Sequence, residues 1–151
     1  ASHLTIRDAT RVDARAAHGK SGRWLLDPDG FTIAASGGDI SGATLSSNLA
    51  TADVAIASTN GGGSDGNVTV NDAISWSANK LTLTAQNNIN INKAMRGSGT
   101  ASLALEYGQS AVAASNPATY HVKAEVDLPS GNNFSTKLGS NGGVTVYQVI
   151  N

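Results

Sequence analysis

The chain has no cysteine among its 151 residues, which excludes disulfides, thiolate metal sites and a cysteine nucleophile. Aromatic residues make up 5% and there is one methionine. A core of large side chains is therefore not available, and the interior must be filled by Val, Ile, Leu and Ala. Charged residues reach 14%, against about 25% in average domains, so small neutral polar groups cover the surface instead. A formal net charge of −1 leaves no basic field to gather nucleic acid and no acidic tail. No signal peptide, lipidation motif or run of about 18 apolar residues is present, so neither nucleic acid nor membrane insertion is expected. The length suits one domain, and a start without Met suits a mature or excised fragment.

What the chain does contain is a repeat. In "NININ", Asn88 to Asn92, a period of two sends Ile89 and Ile91 to one face of an extended strand and the asparagines to the other. Twenty-one residues earlier, "NVTVN" places Val68 and Val70 in the same pattern. At the same or nearly the same offset Ile74 matches Met95, Leu81 matches Leu103 and Leu83 matches Leu105. A looser copy lies upstream, with Phe31 and Ile33, then Ile40 and Leu45, then Val54 and Ile56.

Recurrence at a fixed period of 20 to 50 residues signals stacked units, because one unit cannot bury its own apolar face. Three short strands per period predict an all-β fold, a parallel β-helix (solenoid) of about 21 to 22 residues per coil. The predicted core is Val68, Val70, Ile74, Leu81, Leu83, Ile89, Ile91, Met95, Leu103 and Leu105. Asn67, Asn71, Asn88 and Asn92 are expected to form a corner ladder, since Asn tolerates left-handed backbone and its amide can bond from layer to layer.

Residues 4–20 read as preceding strands, although Arg7, Arg11 and Arg15 also suit a helix stripe; with Asp8 and Asp13 nearby they form a solvated, self-paired surface. Asp27-Pro28-Asp29-Gly30 reads as a type I turn, with too few oxygens for calcium. The loop Gly61, Gly62, Gly63, Ser64, Asp65 and Gly66 lacks the Lys-Ser/Thr of a phosphate loop and does not recur as a calcium-binding roll would. It is the candidate binding loop, because projecting loops on stacked scaffolds carry binding functions. After Gly108 the repeat dissolves, and "YHVKAEVDL" and "VTVYQVI" predict antiparallel strands. The expected organisation is a single domain over 1–151, with stacked coils over 4–108 and a linker and C-terminal strand extension or cap over 109–151.

No catalytic constellation emerges. His3, His18 and His121 are isolated, so neither a Ser-His-Asp arrangement nor a zinc site has support. Sugar cleavage needs paired acids or a calcium and basic cluster, while the clear repeats offer only Asp72, Lys93 and Glu106 outside. Asp72 over Lys93 is expected as a stacked ion pair. No catalytic, cofactor or metal residues are assigned, and no enzyme activity is expected.

The segments "GRWLLDPDGFTIA" and "GNVTVNDAISWSANKLTLTAQNNININKAM" make the chain resemble, over roughly 22–108, the filamentous haemagglutinin-like adhesins that Gram-negative bacteria export by two-partner secretion. The segments "FSTKLGS" and "VYQVI" near the end are also similar. The resemblance implies a right-handed parallel β-helical rod, secreted or held at the bacterial surface, that adheres to a host cell-surface glycan or protein or presents a distal effector. It implies an outer-membrane two-partner transporter engaged through parts of the parent not recognisable here. An inert structural spacer is the alternative.

Overall fold

The structure, a computed structural model, describes residues 12–13, 22–27, 30–58 and 66–151. Alternation of buried aliphatics with polar residues makes short strands throughout. β1 (Val12–Asp13), β2 (Gly22–Asp27), β3 (Phe31–Ile33) and β4 (Asp53–Ser58) come first. Then follow β5 (Val68–Val70), β6 (Ile74–Trp76), β7 (Lys80–Thr84), β8 (Ile89–Ile91), β9 (Met95–Gly97) and β10 (Ser102–Tyr107). The last are β11 (Tyr120–Val122), β12 (Val126–Asp127), β13 (Gly131–Leu138) and β14 (Thr145–Val149). One helix, α1 (Gly42–Leu49), lies between β3 and β4.

The strands form three sheets. The first runs β1-β2-β4-β7-β10-β13-β14, the second β11-β8-β5-β3 and the third β12-β9-β6. From β5 onward the chain visits the second, third and first sheets in turn. Pairing between visits is parallel, with Val68 beside Ile89, Ile74 beside Met95 and Leu81 beside Leu103. Facing rows meet in one interior, where Ile33, Ile56, Val70, Leu83, Ile91 and Leu105 are wholly buried. Each such side chain stabilises by about 1.5–3 kcal/mol when fully buried.

This architecture corrects the expected fold class. It is a mixed α/β arrangement of three open sheets, mostly parallel, and not an all-β right-handed parallel β-helix. The seven-stranded sheet does not close; its outer pairs, β1 with β2 and β13 with β14, are antiparallel.

The segment between Ile40 and Leu49, expected to be a looser strand repeat, is helical. Ser41 caps it by accepting the Thr44 N–H at 3.1 Å, and Leu45 and Leu49, one turn apart, are both buried. The helix covers the outer edge of β6: the Ser75 N–H donates to Ser46 Oγ at 3.0 Å, satisfying an edge group that would otherwise lie open.

The C-terminal strands differ from expectation as well. β11, β12 and β13 pair parallel with β8, β9 and β10, and among these last strands only β14 is antiparallel. The loop after Gly108 displaces the pattern, so that layers separated by 21 residues at Asn67 and Asn88 become separated by 31 at Asn88 and Thr119. Asn116 shapes that loop by donating to the Gly108 carbonyl at 2.9 Å.

Arg7, Asp8, Arg11, Arg15 and the Asp27-Pro28-Asp29 turn, as side chains, lie outside the described residues.

Candidate functional site

The third sheet builds a shallow groove from alternation alone. Ile74, Trp76 and Met95 point inward and are buried, so Ser75 and Arg96 point outward. Register places Arg96 beside Ser75 on one side and Asp127 on the other. These three, with Trp76, Ser77, Gly97 and Ser98, line a depression of about 480 Å³.

Its floor is held from beneath. Trp76 donates its indole N–H to the Asn79 carbonyl at 3.2 Å, and Asn79 takes the left-handed backbone, φ 70°, that makes this turn. Gly97 lets the floor close over the core: a Cβ there would stand 3.0 Å from both Ala101 Cβ and Leu128 Cδ2. Gly99, at φ 59°, turns the chain so that the Thr100 N–H reaches the Ser77 carbonyl at 3.1 Å.

The groove's one cation is paired. Arg96 Nε donates to Glu125 Oε1 at 3.1 Å, with both side chains more than half exposed, a geometry worth at most about 1 kcal/mol. The guanidinium carries five donors in all, so this bond leaves donors over. Beside it stand the Asp127 carboxylate and the serine hydroxyls. Such a surface can donate to and accept from the hydroxyls of a polar ligand, and with two carboxylates to one guanidinium it does not select an anion.

A second depression, about 460 Å³, opens at the C-terminal end of the core and is largely apolar. Leu103, Leu105, Tyr120, Val126, Phe134 and Val149 are among its walls. Tyr107, Tyr120, Phe134 and Tyr147 run past it as a chain of ring contacts with centroids 5.2, 6.5 and 5.4 Å apart. Burial raises the pKa of Tyr107 and Tyr120 above 10.0, with the neighbouring tyrosines adding to the shift. Their hydroxyls stay protonated and supply no base.

The residues singled out in the sequence take other places. All ten of Val68, Val70, Ile74, Leu81, Leu83, Ile89, Ile91, Met95, Leu103 and Leu105 are buried in the shared core. The four asparagines lie on the second sheet's flanks. Asn67 Oδ1 accepts the Asn88 N–H at 2.9 Å, Asn88 Oδ1 accepts the Thr119 N–H at 2.9 Å, and Asn92 Nδ2 donates to Asn71 Oδ1 at 2.9 Å. None of them needs a left-handed backbone, which among the described non-glycine residues occurs at Asn79 and Ser115. Asn bonds the layers here by its amide and not by its tolerance of strained φ.

In the candidate loop, Gly61 to Asp65 lie outside the described residues. Gly66 is engaged structurally, its carbonyl accepting from Ser58 Oγ at 2.6 Å and from the Asn87 N–H at 3.1 Å. Asp72, read as a partner for Lys93, instead accepts the Gly42 and Ala73 N–H groups at 2.8 and 3.0 Å. Glu106 accepts from Thr84 Oγ1 at 3.3 Å.

The sequence repeat does not bring the groove residues together. Bringing Asp127 beside Arg96 requires the 31-residue layer, while the repeat in the sequence gives only 21 or 22. Among the described residues no group of three or more His, Asp or Glu side chains could hold a metal ion, and no helix is long and apolar enough to cross a membrane. No family model, curated protein or solved structure matches the chain.

Proposed function

We propose that this chain is a non-enzymatic segment of a secreted or surface-displayed bacterial adhesin of the haemagglutinin-like kind. Its role in that reading is attachment to a host-cell glycan or protein, with the parent reaching the surface through an outer-membrane two-partner transporter. The observation that carries the reading is the row Ser75, Arg96 and Asp127 above a closed floor. A row of hydroxyl, guanidinium and carboxylate matches the donors and acceptors of a neutral saccharide, and an open groove admits one residue of a long chain. Affinity of a single shallow site is modest, and repeated display on a surface raises it through avidity.

The second reading is a structural spacer that presents a distal effector. Favouring it is the first sheet's row Ala55, Thr82, Ala104 and Ser135, which succeed one another across four strands with Ala104 buried and offer little to hold a ligand.

Passing the folded chain over an array of host glycans and bacterial or plant polysaccharides, while assaying for released products, separates the two. Saturable retention without cleavage, lost in Arg96→Ala and Asp127→Ala, is the expected result. Absence of retention would favour the spacer, and product release would overturn both readings.

A further inference from the structure

We propose that the third-sheet groove selects a saccharide residue carrying a free amine, held as its ammonium against Asp127. The inference rests on the attachment reading above and adds to it the charge of the ligand. A neutral sugar answers the hydroxyls and the guanidinium of the groove but leaves one group unanswered.

Strand geometry picks that group out. Val126 packs inward against the core, so Glu125 and Asp127, on either side of it, both point outward and are exposed. Register sets Met95 beside Val126 and Arg96 beside Asp127, which leaves Glu125 diagonal to Arg96. The guanidinium nevertheless turns to the diagonal neighbour, its Nε donating to Glu125 Oε1 at 3.1 Å. Among the described residues Asp127 is left with no ion pair and no side-chain hydrogen bond. Nor does the rest of the lining supply a cation for it: Ser75, Trp76, Ser77, Gly97 and Ser98 complete the depression.

Charge then decides which ligands gain. A sugar bearing a carboxylate or sulfate would meet two carboxylates and a guanidinium already engaged, and is repelled. A sugar without charge gains only hydrogen bonds. An ammonium brings three donors and the charge that Asp127 lacks. The row from Ser75 through Arg96 to Asp127 crosses two strand spacings, about 10 Å. An amine seated at Asp127 therefore leaves the hydroxyls of its own chain to the remaining donors of Arg96 and to Ser75. The depression of about 480 Å³ lies within the range of small-ligand sites.

Titration calorimetry of the full chain tests this with two probes, oligosaccharides of glucosamine and the same oligosaccharides fully N-acetylated. Acetylation removes the charge and keeps the ring. At about pH 6, above the ordinary carboxylate range, the glucosamine series is expected to bind about two- to fivefold more tightly, the span of one exposed ion pair, with the difference shrinking as salt is added. Asp127→Asn, which keeps the side chain's shape, is expected to abolish the difference, with circular dichroism confirming that it remains folded. Glu106→Gln, on the first sheet and outside the groove, is expected to preserve it. Equal affinity for the two series overturns the proposal and leaves the attachment reading standing, whereas binding of neither overturns both. A preference that survives Asp127→Asn, or that Glu106→Gln removes as well, would mark attraction of a polycation to the whole surface and overturn the assignment to the groove. Tighter binding of a short lysine peptide than of the glucosamine series would make the occupant a protein side chain and overturn it too.

Discussion

The Gly42 N–H donates to the Asp72 carboxylate at 2.8 Å across 30 residues of chain. The bond ties the first turn of α1 to the turn that precedes β6, placing an acidic group where unsatisfied helix N–H groups carry partial positive charge. The other Asp72 oxygen holds the Ala73 N–H. Gly42 itself leaves no room for a side chain, because a Cβ would collide with the Ala73 carbonyl.

Asp72→Ala is therefore expected to destabilise by about 1–2 kcal/mol, in the range for loss of a capping acceptor. Gly42→Ala should cost more, because the backbone of α1 or of the β6 turn must move to relieve the clash. Denaturant melts of the two variants check the order, and equal stability of Gly42→Ala and wild type would contradict the docking of α1 on β6.

The asparagine pairs differ in what they satisfy. Asn67 accepts a backbone N–H in a partly buried setting, whereas Asn71 accepts only another exposed amide. Asn67→Ala leaves the Asn88 N–H short of a partner and should cost about 1–2 kcal/mol, while Asn71→Ala should stay within about 0.5 kcal/mol. The difference in urea midpoint between the two variants is the measurement.

Ile89 stands between Val68 and Tyr120 in the second sheet and is wholly buried. Ile89→Asp would put a carboxylate into that row without a cationic partner. Loss of several kcal/mol is expected, with the variant's Tm rising as pH falls toward the carboxyl pKa and the group becomes neutral. A Tm equal to that of the wild type at pH 7 would refute this placement.

Asn48 offers the opposite sign. It is buried on α1, and its Nδ2 has no hydrogen-bond partner. Asn48→Ala removes an unmet donor and substitutes the best helix former, so a gain of about 0.5–1 kcal/mol is expected. Destabilisation instead would show that the amide volume matters more to packing than its missing bond.

The rows of the core were legible in the sequence wherever the layers follow one another without insertion. Val68 and Ile89, or Leu83 and Leu105, stand side by side at the same 21- and 22-residue offsets that relate their segments. Two kinds of insertion hid the rest. Between Ile40 and Leu49 the chain has few apolar residues, and the buried pair Leu45 and Leu49 was outweighed by an expectation of strands carried over from the repeat. The signals of α1 are local, the cap at Ser41 and the one-turn spacing of Leu45 and Leu49, and neither recurs at 21 residues. The loop from Gln109 to Ala118 displaces the final layer, so Tyr120 did not register as the successor of Ile89, and the row Ser75, Arg96 and Asp127 could not be assembled. Periodicity finds neighbours only while the chain between them keeps one length.

The aromatic run at the C-terminal end makes the fold sensitive to alkali. Burial raises the pKa of Tyr107 and Tyr120 above 10.0, so between the unfolded and folded values the native state holds protons that the unfolded state has released. Stability then falls as pH rises, since the slope follows the difference in bound protons. Below about pH 9 both states are protonated and the two groups add no pH dependence. The loss begins near pH 10 and continues until the folded-state values are passed. Thermal melts between pH 8 and 11.5 should show Tm flat at first and then declining, and Tyr107→Phe with Tyr120→Phe should lessen the decline by removing the ionisable groups while keeping the rings. A decline of equal steepness in the double variant would place its cause outside this pair.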